Sequence, residues 1–376
     1  MVRQPNIVHK INIFQNRISI DCYKIILYNI FGISHKIFDY LEGTSDMANK
    51  KVVLVDSTKN DGFEEFYTVQ REILEKNGID FILEDCKNED DVIAKCKDAD
   101  ALLVVSLQIT PKAIEALDNC KVMVRYGIGY DAIDVEAATK KGIMVCNIPD
   151  YCIEEVATHT IALMLAAIRK ICFYNNQLID GKWLVNSGYS IRRLSAMTLG
   201  LVGFGHIARQ TAKYAQAFGM TIYAYDPFVT EEQMAALNVK KMDLDELCRN
   251  SDVVSVHVPL NEQTRHIINK DNIAMMKDGV ILVNTSRGPQ VCEEDLIAAV
   301  KSGKVKAAGL DVCESEPISI PHHPLFETGN IIVTPHAAYY SEEASVDLWS
   351  KAAQTVANVL NGEIPHNIVN KKQLGL

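Results

Sequence analysis

Short apolar runs recur along the chain from residue 51 to residue 333, and stretches with helical periodicity separate them. Runs of this length are typical of parallel strands that are buried on both faces of a sheet. The pattern predicts five strands before residue 150 and six after it. These strands lie at 51–56, 80–83, 101–105, 122–124, 143–146, 199–202, 221–225, 253–256, 280–283, 307–310 and 331–333.

The alternation of strands and helices predicts an α/β protein with two doubly wound parallel-sheet domains. The first strand group predicts a flavodoxin-like domain, and the six later strands predict a complete Rossmann domain. A long helix at about 153–171 is expected to connect the domains, and the last helix, 342–361, is expected to return to the first one. The predicted domains are residues 47–149 with 337–376, and residues 150–336.

Helix boundaries carry their own signals. Thr110 is placed to act as the N-cap of a helix at 111–117. Gly78 stops a helical stretch at 64–77, and Gly219 is placed to cap the helix that follows residue 205. These signals agree with the helix positions expected from the apolar pattern.

Residues 1–46 differ from the rest of the chain. Asn, Lys and His interrupt their apolar residues, and neither a signal peptide nor a transit peptide pattern emerges. We expect them to be an N-terminal extension outside the core. Because the first clear strand follows almost directly on Met47, a chain that starts at Met47 is expected to fold and keep its activity.

A glycine loop follows the strand at 199–202. Gly203 suits a sharp turn, Gly205 has no Cβ that would keep a pyrophosphate from the backbone, and Ala208 lets the next helix pack closely on the strand. The first residues of that helix, His206 and Ile207, offer N–H groups to phosphates. Alone this motif is weak, since glycines also end strands for structural reasons, but the predicted strand, turn and helix supply its context.

Asp226 ends the next strand, about 20 residues after the glycines. A carboxylate there accepts hydrogen bonds from the adenosine ribose, which favours NAD over NADP. The residues that follow, 227–230, contain no Arg or Lys for a 2′-phosphate. The alternative is that Asp226 and Pro227 form only a turn.

Composition narrows the possible partners and compartments. The 376 residues carry a net charge of −10, which argues against a nucleic-acid or anionic-membrane surface. No apolar run is long enough to span a bilayer. The ten cysteines include no C-x-x-C pair and are interpreted as core residues in a reducing compartment, the cytoplasm.

Three later strands of the Rossmann domain end in residues that suit redox chemistry on a small carboxylate. Arg287 can grip a carboxylate in a bidentate manner and polarise an adjacent carbonyl. His336 can give and take a proton near neutral pH. Glu316 is placed to orient this imidazole and stabilise its charged form, with Glu314 as a rival for the same role.

Each of these residues also has a purely structural interpretation. Arg287 could be a surface turn residue, Glu316 could start a loop, and His336 could be a structural histidine. Their convergence on one cleft favours chemistry. The pair His322 and His323 is interpreted as a solvated loop, because adjacent residues rarely ligate one metal and no Cys or acidic partner is spaced for it; no metal site is expected.

Further positions have wider interpretations. His257 and Pro259 are expected to form part of the cofactor wall, and Thr285 and Ser286 to contact the cofactor beside Arg287. His159, in the connecting helix, is expected to be a packing residue or a peripheral cofactor contact. The segment 181–194 mixes aromatic and basic residues, and its interpretation stays open between a dimer arm and a surface loop with a buried Trp183.

Several separate motifs together resemble the D-isomer-specific 2-hydroxyacid dehydrogenases over about residues 51–370. They are Arg125 to Asp131, Gly203 to Ala208, Asn284 to Gly288, Asp311 to Pro317, and Thr334 to His336. The resemblance implies that Arg287, Glu316 and His336 are the catalytic set, which favours Glu316 over Glu314. It further implies substrate contacts by the backbone of Gly127 and Ile128, a nicotinamide contact by Asp311, and a homodimer joined through the cofactor domains.

Within the family, the segments 311–317 and 334–344 look like the branch of the C-terminal-binding proteins and their bacterial dehydrogenase relatives. Tyr339 stands where the co-repressors usually have Trp. The expected activity is NADH-linked reduction of a small unphosphorylated 2-oxo acid, such as glyoxylate, hydroxypyruvate or pyruvate, to the D-hydroxy acid, because Ser106, Leu107 and Gln108 offer no cation to a phosphate. The alternative is a dinucleotide-gated binding protein of the co-repressor type with vestigial catalysis.

Overall fold

The computed structural model describes residues 49–56, 67–185 and 188–376. The predicted extension, residues 1–46, and the predicted start at Met47 lie outside the described residues. The helix predicted at 64–77 is described from Thr68 to Lys76, where Gly78 follows with a φ of 68°.

Among the described residues, the first sheet has five strands, β1 Lys50–Leu54, β2 Ile79–Leu83, β3 Ala101–Val104, β4 Val122–Arg125 and β5 Met144–Cys146. Their order is β2-β1-β3-β4-β5, as in a flavodoxin-like fold. All pairs from β1 through β3 and β4 to β5 are parallel. Successive side chains of β1 and of the residue after it point to opposite faces of the sheet, and both faces are buried. Val52 and Leu54 belong to one core cluster, and Val53 and Val55 belong to another. The helices between these strands are α1 Thr68–Lys76, α2 Glu89–Cys96, α3 Pro111–Glu115 and α4 Val135–Lys140.

The strands of the second sheet are β6 Thr198–Val202, β7 Thr221–Tyr225, β8 Lys240–Lys241, β9 Val253–Val256, β10 Val280–Asn284, β11 Val305–Leu310 and β12 Ile331–Val333. This sheet is parallel and has the order β12-β11-β10-β9-β6-β7-β8. This is the Rossmann order with an additional strand, so the prediction of two parallel-sheet α/β domains is confirmed. The prediction of six strands was wrong, because the edge strand β8 has only two polar residues and shows no apolar run. The helices between these strands are α7 His206–Ala217, α8 Glu231–Ala235, α9 Leu244–Asn250, α10 Lys270–Met275, α11 Glu293–Ser302 and α12 Pro324–Glu327.

A long helix, α5 Ile153–Arg169, joins the two sheets. Val156 near its start packs in a core cluster of the first sheet, whereas Ile161 and Met164 pack in a cluster of the second. Gly309 of β11 lets the helix approach closely, because a Cβ there would lie 2.8 Å from Cβ of Leu163. The helix therefore connects the two domains.

The connecting helix ends earlier than the predicted residue 171. Lys170 adopts a left-handed conformation with a φ of 58°, and a second helix, α6 Ile171–Ile179, begins after it. The Lys170 ammonium lies 4.7 Å from the ring centroid of Tyr189 and 5.5 Å from those of Phe173 and Tyr174. These cation–π contacts stabilise a break that apolar periodicity alone does not reveal.

The C-terminal residues pack against the first sheet. In α13, Glu342–Leu360, the side chains of Leu348, Ala352 and Val356 share a core cluster with β1. After this helix, the side chain of Asn370 is buried and accepts a hydrogen bond from Val145 N–H at 2.9 Å. The domain boundaries at residues 149/150 and 336/337 stay a prediction.

Local signals at helix ends agree with the structure. Thr110 Oγ1 accepts a hydrogen bond from Ala113 N–H, as expected of an N-cap. Gly219 has a φ of 77° and its N–H donates to Gln216 O after α7. Among the described residues, no single helix has the length and apolar character needed to cross a membrane; α5 and α6, bent by 57°, meet that test only as a pair.

Candidate active site

The turn after β6 has the backbone geometry expected of a dinucleotide loop. Gly203 has a φ of 96°, and a Cβ there would lie 2.7 Å from His257 O. By contrast, a Cβ at Gly205 would meet nothing within 4 Å. Gly203 is thus required by the fold, while Gly205 leaves free space beside the N-terminus of α7. His206 is exposed and Ile207 half-buried at this terminus.

Asp226 stands at the end of β7 beside this loop. Its Oδ2 accepts a hydrogen bond from Phe204 N–H at 2.9 Å, and its Oδ1 accepts one from Phe228 N–H at 2.8 Å. The carboxylate therefore orients the glycine loop, and its contact with the ribose stays a prediction. The open space at Gly205 and this adjacent carboxylate fit an NAD pyrophosphate and adenosine ribose.

His257 follows β9 on the other side of Gly203. Its Nε2 lies 2.8 Å from Ser255 Oγ, and burial lowers the pKa of His257 to about 4. The imidazole is consequently neutral near pH 7, as suits a wall rather than a proton donor. Pro259 is exposed, and its carbonyl accepts a hydrogen bond from Thr264 Oγ1 at 2.6 Å.

Asn284 at the end of β10 shapes the turn that carries Arg287. Its Oδ1 accepts a hydrogen bond from Ser286 N–H at 3.0 Å, and its Nδ2 donates to Arg287 O at 2.8 Å. Ser286 Oγ donates to Val256 O, which ties the turn to β9. Thr285 is buried, and its Oγ1 lies 2.8 Å from Oγ1 of Thr160 in α5.

The Arg287 side chain reaches the loop after β4 in the first domain. Its Nε donates to Asp131 Oδ1 at 3.2 Å, and its Nη1 donates to Ser286 O at 2.8 Å. A side chain at Gly129 would overlap the guanidinium. Arg287 is therefore fixed where the ends of both sheets meet, and is not a free surface turn residue.

The predicted substrate loop is itself held in place. The carbonyl of Gly127 accepts a hydrogen bond from Ile148 N–H at 2.9 Å, and the carbonyl of Ile128 accepts one from Asn147 Nδ2 at 2.7 Å. Gly127 has a φ of 147°, which disfavours other residues. The predicted loop residues and Arg287 thus lie together.

His336 and Glu316 form a direct pair. His336 Nδ1 lies 2.7 Å from Glu316 Oε2, and Glu316 Oε1 accepts a hydrogen bond from Cys313 N–H at 2.9 Å. Burial favours a raised Glu316 pKa, but these hydrogen bonds and the charges of His336 and Arg287 outweigh it and lower the pKa. Because the carboxylate accepts, Nδ1 carries a proton and Nε2 is left to exchange one with a ligand.

Glu314, the rival for the role of Glu316, has a different partner. Its Oε1 lies 2.7 Å from Nε2 of His266, away from His336. Glu316 rather than Glu314 is therefore the acid that contacts His336.

Asp311 supports the turn that carries His336. The residue is 1% exposed; its Oδ1 accepts hydrogen bonds from Thr334 Oγ1 at 2.5 Å and Ala337 N–H at 2.9 Å, and its Oδ2 accepts one from Ala338 N–H at 2.8 Å. Burial favours a raised pKa, but these hydrogen bonds, with His159, outweigh it and lower the Asp311 pKa. The carboxylate is committed to the 334–338 turn, so its predicted contact with the nicotinamide stays a prediction.

Two further residues lie near this site: Arg125, to which sequence reasoning assigned no role of its own, and His159, which was expected to be a packing residue or a peripheral cofactor contact. Arg125 ends β4, and its Nη1 is buried with no hydrogen-bond partner among the described residues. Burial and the charge of Arg287 lower the Arg125 pKa, so a second cation stands near Arg287. His159 Nε2 lies 2.9 Å from Thr334 Oγ1, which places it behind the His336 turn. The strand-end rule that selected Arg287 could have found Arg125 too.

Residues 161–338, which include the glycine loop, Arg287, Glu316 and His336, match the family model "D-isomer specific 2-hydroxyacid dehydrogenase, NAD binding domain". The chain is 39% identical over 290 residues to a hydroxypyruvate reductase of Blautia hydrogenotrophica, covering 75% of this chain and 88% of that protein. The chain belongs to the D-isomer-specific 2-hydroxyacid dehydrogenase family.

Other family members show how far the similarity extends. The chain is 42% identical over 284 residues to a D-3-phosphoglycerate dehydrogenase of Methanocaldococcus jannaschii, covering 75% of this chain but only 54% of that protein. The chain thus spans about half the length of that relative. A D-lactate dehydrogenase from Aquifex aeolicus, solved with NAD and lactic acid, has a TM-score of 0.75 and 29% identity, covering 85% of this chain and 98% of that one.

The predicted family and the predicted cofactor, NAD, are confirmed, since the matched model is an NAD-binding domain that includes the glycine loop and Asp226. Arg287 contacts Asp131, Glu316 pairs with His336, and the charge of Arg287 acts on Glu316; the catalytic roles of these residues stay a prediction. These matches do not test the finer prediction of the C-terminal-binding-protein branch, which stays a prediction.

Proposed function

We propose that this family member is an NAD-dependent oxidoreductase that interconverts a small 2-oxo acid and its D-2-hydroxy acid. The observation that carries the proposal is the 2.7 Å pair of His336 Nδ1 and Glu316 Oε2, close to a guanidinium that is anchored on the substrate loop. Together they offer a proton, a counter-charge and a carboxylate-binding group at one place.

In the direction of reduction, His336 gives its Nε2 proton to the substrate oxygen as charge develops there. Glu316 holds the ring by Nδ1 and stabilises the imidazolium before the transfer. Bound NADH supplies the hydride. In the reverse direction, neutral His336 takes the hydroxyl proton, so the same pair serves both directions.

Arg287 is proposed to bind the substrate carboxylate and to polarise the carbonyl, with the backbone around Gly127 and Ile128 completing the site. The ion pair with Asp131 fixes the Arg287 side chain before the substrate binds, which reduces the side-chain entropy that is lost on binding. Arg125 adds positive charge behind the same loop. The site as a whole suits a small anion.

The proposed substrate is unphosphorylated, in contrast to the D-3-phosphoglycerate named for one relative. Asp56 fills the loop after β3: its Oδ2 accepts hydrogen bonds from Leu107 N–H at 2.8 Å and Ser106 Oγ at 3.0 Å, and its Oδ1 accepts one from Val105 N–H at 2.9 Å. A carboxylate that occupies these donors repels a phosphate. Glyoxylate, hydroxypyruvate and pyruvate therefore remain the proposed substrates.

NADH oxidation against glyoxylate, hydroxypyruvate, pyruvate and phosphohydroxypyruvate tests this proposal. We expect turnover with at least one unphosphorylated acid and a large loss of turnover in Arg287→Ala and His336→Ala. If wild type is no faster than these variants on any acid, the enzyme proposal fails, and NAD-dependent ligand binding without turnover becomes the better account. Preference for the phosphorylated acid would overturn the substrate class alone.

We further propose a homodimer joined through the cofactor domains. Segment 171–185 exposes a run of large apolar side chains, including Ile179 at 76%, Trp183 at 84% and Val185 at 72%. The earlier alternative of a buried Trp183 was wrong for the single chain. An apolar surface of this kind favours a protein partner, and symmetric self-association is the commonest solution.

Light scattering of wild type, Trp183→Asp and Phe228→Asp tests the dimer. Phe228 is 93% exposed and lies outside segment 171–185, so its variant controls for the loss of an exposed apolar side chain. We expect dimers for wild type and Phe228→Asp and monomers for Trp183→Asp; a monomeric wild type would contradict the proposal.

We place the protein in the cytoplasm, since the nine cysteines of the described residues are free thiols, and cell fractionation tests this.

A further inference from the structure

We propose that His266, Cys292 and Glu314 form a metal-binding site for Zn²⁺ or a similar divalent ion, separate from the dehydrogenase cleft. One ligand atom from each residue, a ring nitrogen, the thiol sulfur and a carboxylate oxygen, lies within 4.8 Å of the other two. A nitrogen, a sulfur and an oxygen donor together are a set that zinc accepts.

Backbone hydrogen bonds bring the first two ligands together. His266 N–H donates to Pro289 O at 2.8 Å, and Cys292 N–H donates to Ile268 O at 2.8 Å. A parallel bridge between Ile268 and Val291 lies between these bonds. The positions of His266 and Cys292 are thus set by main-chain pairing, independently of their side chains.

The third ligand is held by its own contacts. Glu314 Oε1 lies 2.7 Å from His266 Nε2, and the N–H of Glu314 donates to Glu293 Oε2 at 3.3 Å. Glu293 N–H in turn donates to Glu314 Oε1 at 3.3 Å, and Glu293 Oε1 lies 3.3 Å from His323 Nε2. The Glu293 backbone and carboxylate therefore position Glu314, and the His323 imidazole lies against Glu293, as groups that orient the ligands do in metal sites.

The observed spacing requires only a small adjustment to bind a metal. Ligand atoms on a tetrahedral zinc ion are about 3.5 Å apart, given zinc–ligand distances near 2.0–2.3 Å. His266 and Cys292 are half-buried and Glu314 is exposed, so an ion can enter from solvent and keep a water as its fourth ligand. Turning the His266 ring from its hydrogen bond with Glu314 toward a shared ion satisfies both side chains.

Sequence reasoning expected no metal site, because it sought closely spaced ligands. The three ligands lie far apart in the sequence, since Cys292 follows His266 by 26 residues and Glu314 follows Cys292 by 22. Only the folding of the chain brings them together. It also assigned no acidic partner to the pair His322 and His323, whereas His323 lies beside Glu293. The three ligands come from separate loops.

The position of the site predicts what the ion does. Cys292 follows the turn that carries Arg287, and Glu314 stands two residues before Glu316. An ion held by both would tie these two segments together from outside the cleft. We therefore assign it a structural role, in which metal raises thermal stability without taking part in hydride or proton transfer.

Metal binding by the full chain tests the site. After treatment with a chelator, wild type is titrated with Zn²⁺ by calorimetry and with Co²⁺ by absorption spectroscopy, where a cobalt–thiolate charge-transfer band reports the cysteine. We expect one equivalent of Zn²⁺ per chain, a thiolate band with Co²⁺, and a higher Tm with metal. Cys292→Ala and His266→Ala should bind Zn²⁺ on the order of 100-fold more weakly or worse, since losing even a group that only orients a ligand costs about 10–100-fold in affinity.

Matched controls separate this site from adventitious binding. Cys172→Ala removes an exposed thiol, and His322→Ala removes an exposed imidazole next to His323; both should bind Zn²⁺ like wild type. The metal-free Tm of Cys292→Ala and His266→Ala should match that of metal-free wild type, which shows that these variants fold. The proposal is overturned if wild type takes up no stoichiometric Zn²⁺, or if Cys292→Ala retains both the affinity and the cobalt–thiolate band.

Discussion

The two functional regions of the seven-stranded sheet are built from different parts of the chain. Around β6 and β7, the cofactor loop depends on backbone: the left-handed turn at Gly203 and the open space at Gly205. Around β10 to β12, the proposed catalytic set depends on side chains, with Glu316 held against His336 at 2.7 Å. Cofactor binding should therefore be sensitive to side-chain atoms added at the glycines of the loop. Turnover should be sensitive to the removal of side-chain groups from the proposed catalytic set.

The largest expected effect is the loss of proton transfer in His336→Gln. Glutamine keeps a polar side chain but cannot act as an acid or a base near neutral pH, so kcat should fall by about 10²–10⁴-fold. NADH affinity, measured by fluorescence titration, should change little because the glycine loop is untouched. Equal loss of kcat and NADH affinity would contradict the division between the two regions.

Asp311→Asn should have the next largest effect, on stability. The amide replaces a buried carboxylate that accepts three hydrogen bonds from residues 334–338, at a cost of about 2–4 kcal/mol in the free energy of unfolding. Because the pKa is lowered in the folded protein, the carboxylate stabilises it above the ordinary value of 3.8, and this contribution is lost as pH falls through the lower folded pKa.

Urea unfolding of wild type and Asp311→Asn across pH measures this effect. The difference in the free energy of unfolding should be fully present at neutral pH and shrink only below pH 3.8. Thr328→Val, whose hydroxyl donates to Leu325 O at 3.1 Å away from this turn, is a control for the loss of a partly buried hydrogen bond. A difference that grows as pH falls would be the wrong sign.

Gly203→Ala should destabilise the fold by about 1–3 kcal/mol through backbone strain. The new Cβ would stand 2.7 Å from His257 O at a φ of 96°. Thermal unfolding without cofactor measures this cost, and NADH binding should weaken because the loop must shift. Gly142→Ala is a control, since a Cβ there is strained in φ but meets nothing within 4 Å.

Gly205→Ala should have the smallest effect on stability and still weaken NADH binding. A Cβ at this position meets no protein atom within 4 Å, so Tm without cofactor should remain near that of wild type. If NADH binds the variant as tightly as wild type, the open space at Gly205 is not where the pyrophosphate lies. The pair Gly203→Ala and Gly205→Ala thus separates a glycine that the fold needs from one that the ligand needs.

Much of the architecture could be predicted because buried parallel strands are continuous apolar runs. The strands at 101–104 and 253–256 are buried throughout and match the predicted ranges closely. β8 was missed because a two-residue edge strand of lysines buries no apolar surface. The break at Lys170 was missed since its aromatic partners include Tyr189, nineteen residues away.

The site could be predicted in part for a related reason. Residues at strand ends, such as Arg287 and His336, can be assigned to one edge of a sheet from the strand pattern alone. The contacts that these side chains make cannot be assigned in this way, because they depend on loop conformations. Examples are the support of the His336 turn by Asp311 and the pairing of Glu314 with His266. From sequence spacing, both Glu314 and Glu316 were therefore candidates for the acid that orients His336, and only the family pattern favoured Glu316.

The amino-acid sequence by itself determined the fold class, the NAD loop with Asp226, and the residue types at the strand ends, because these follow from local periodicity and short motifs. The tertiary structure decided which distant side chains meet: Arg287 with Asp131, Glu316 with His336, and His266 with Cys292 and Glu314. The physical reason is that hydrogen bonding and metal ligation act over a few ångströms. Only the packing of the sheets and their loops sets such distances between residues far apart in the chain.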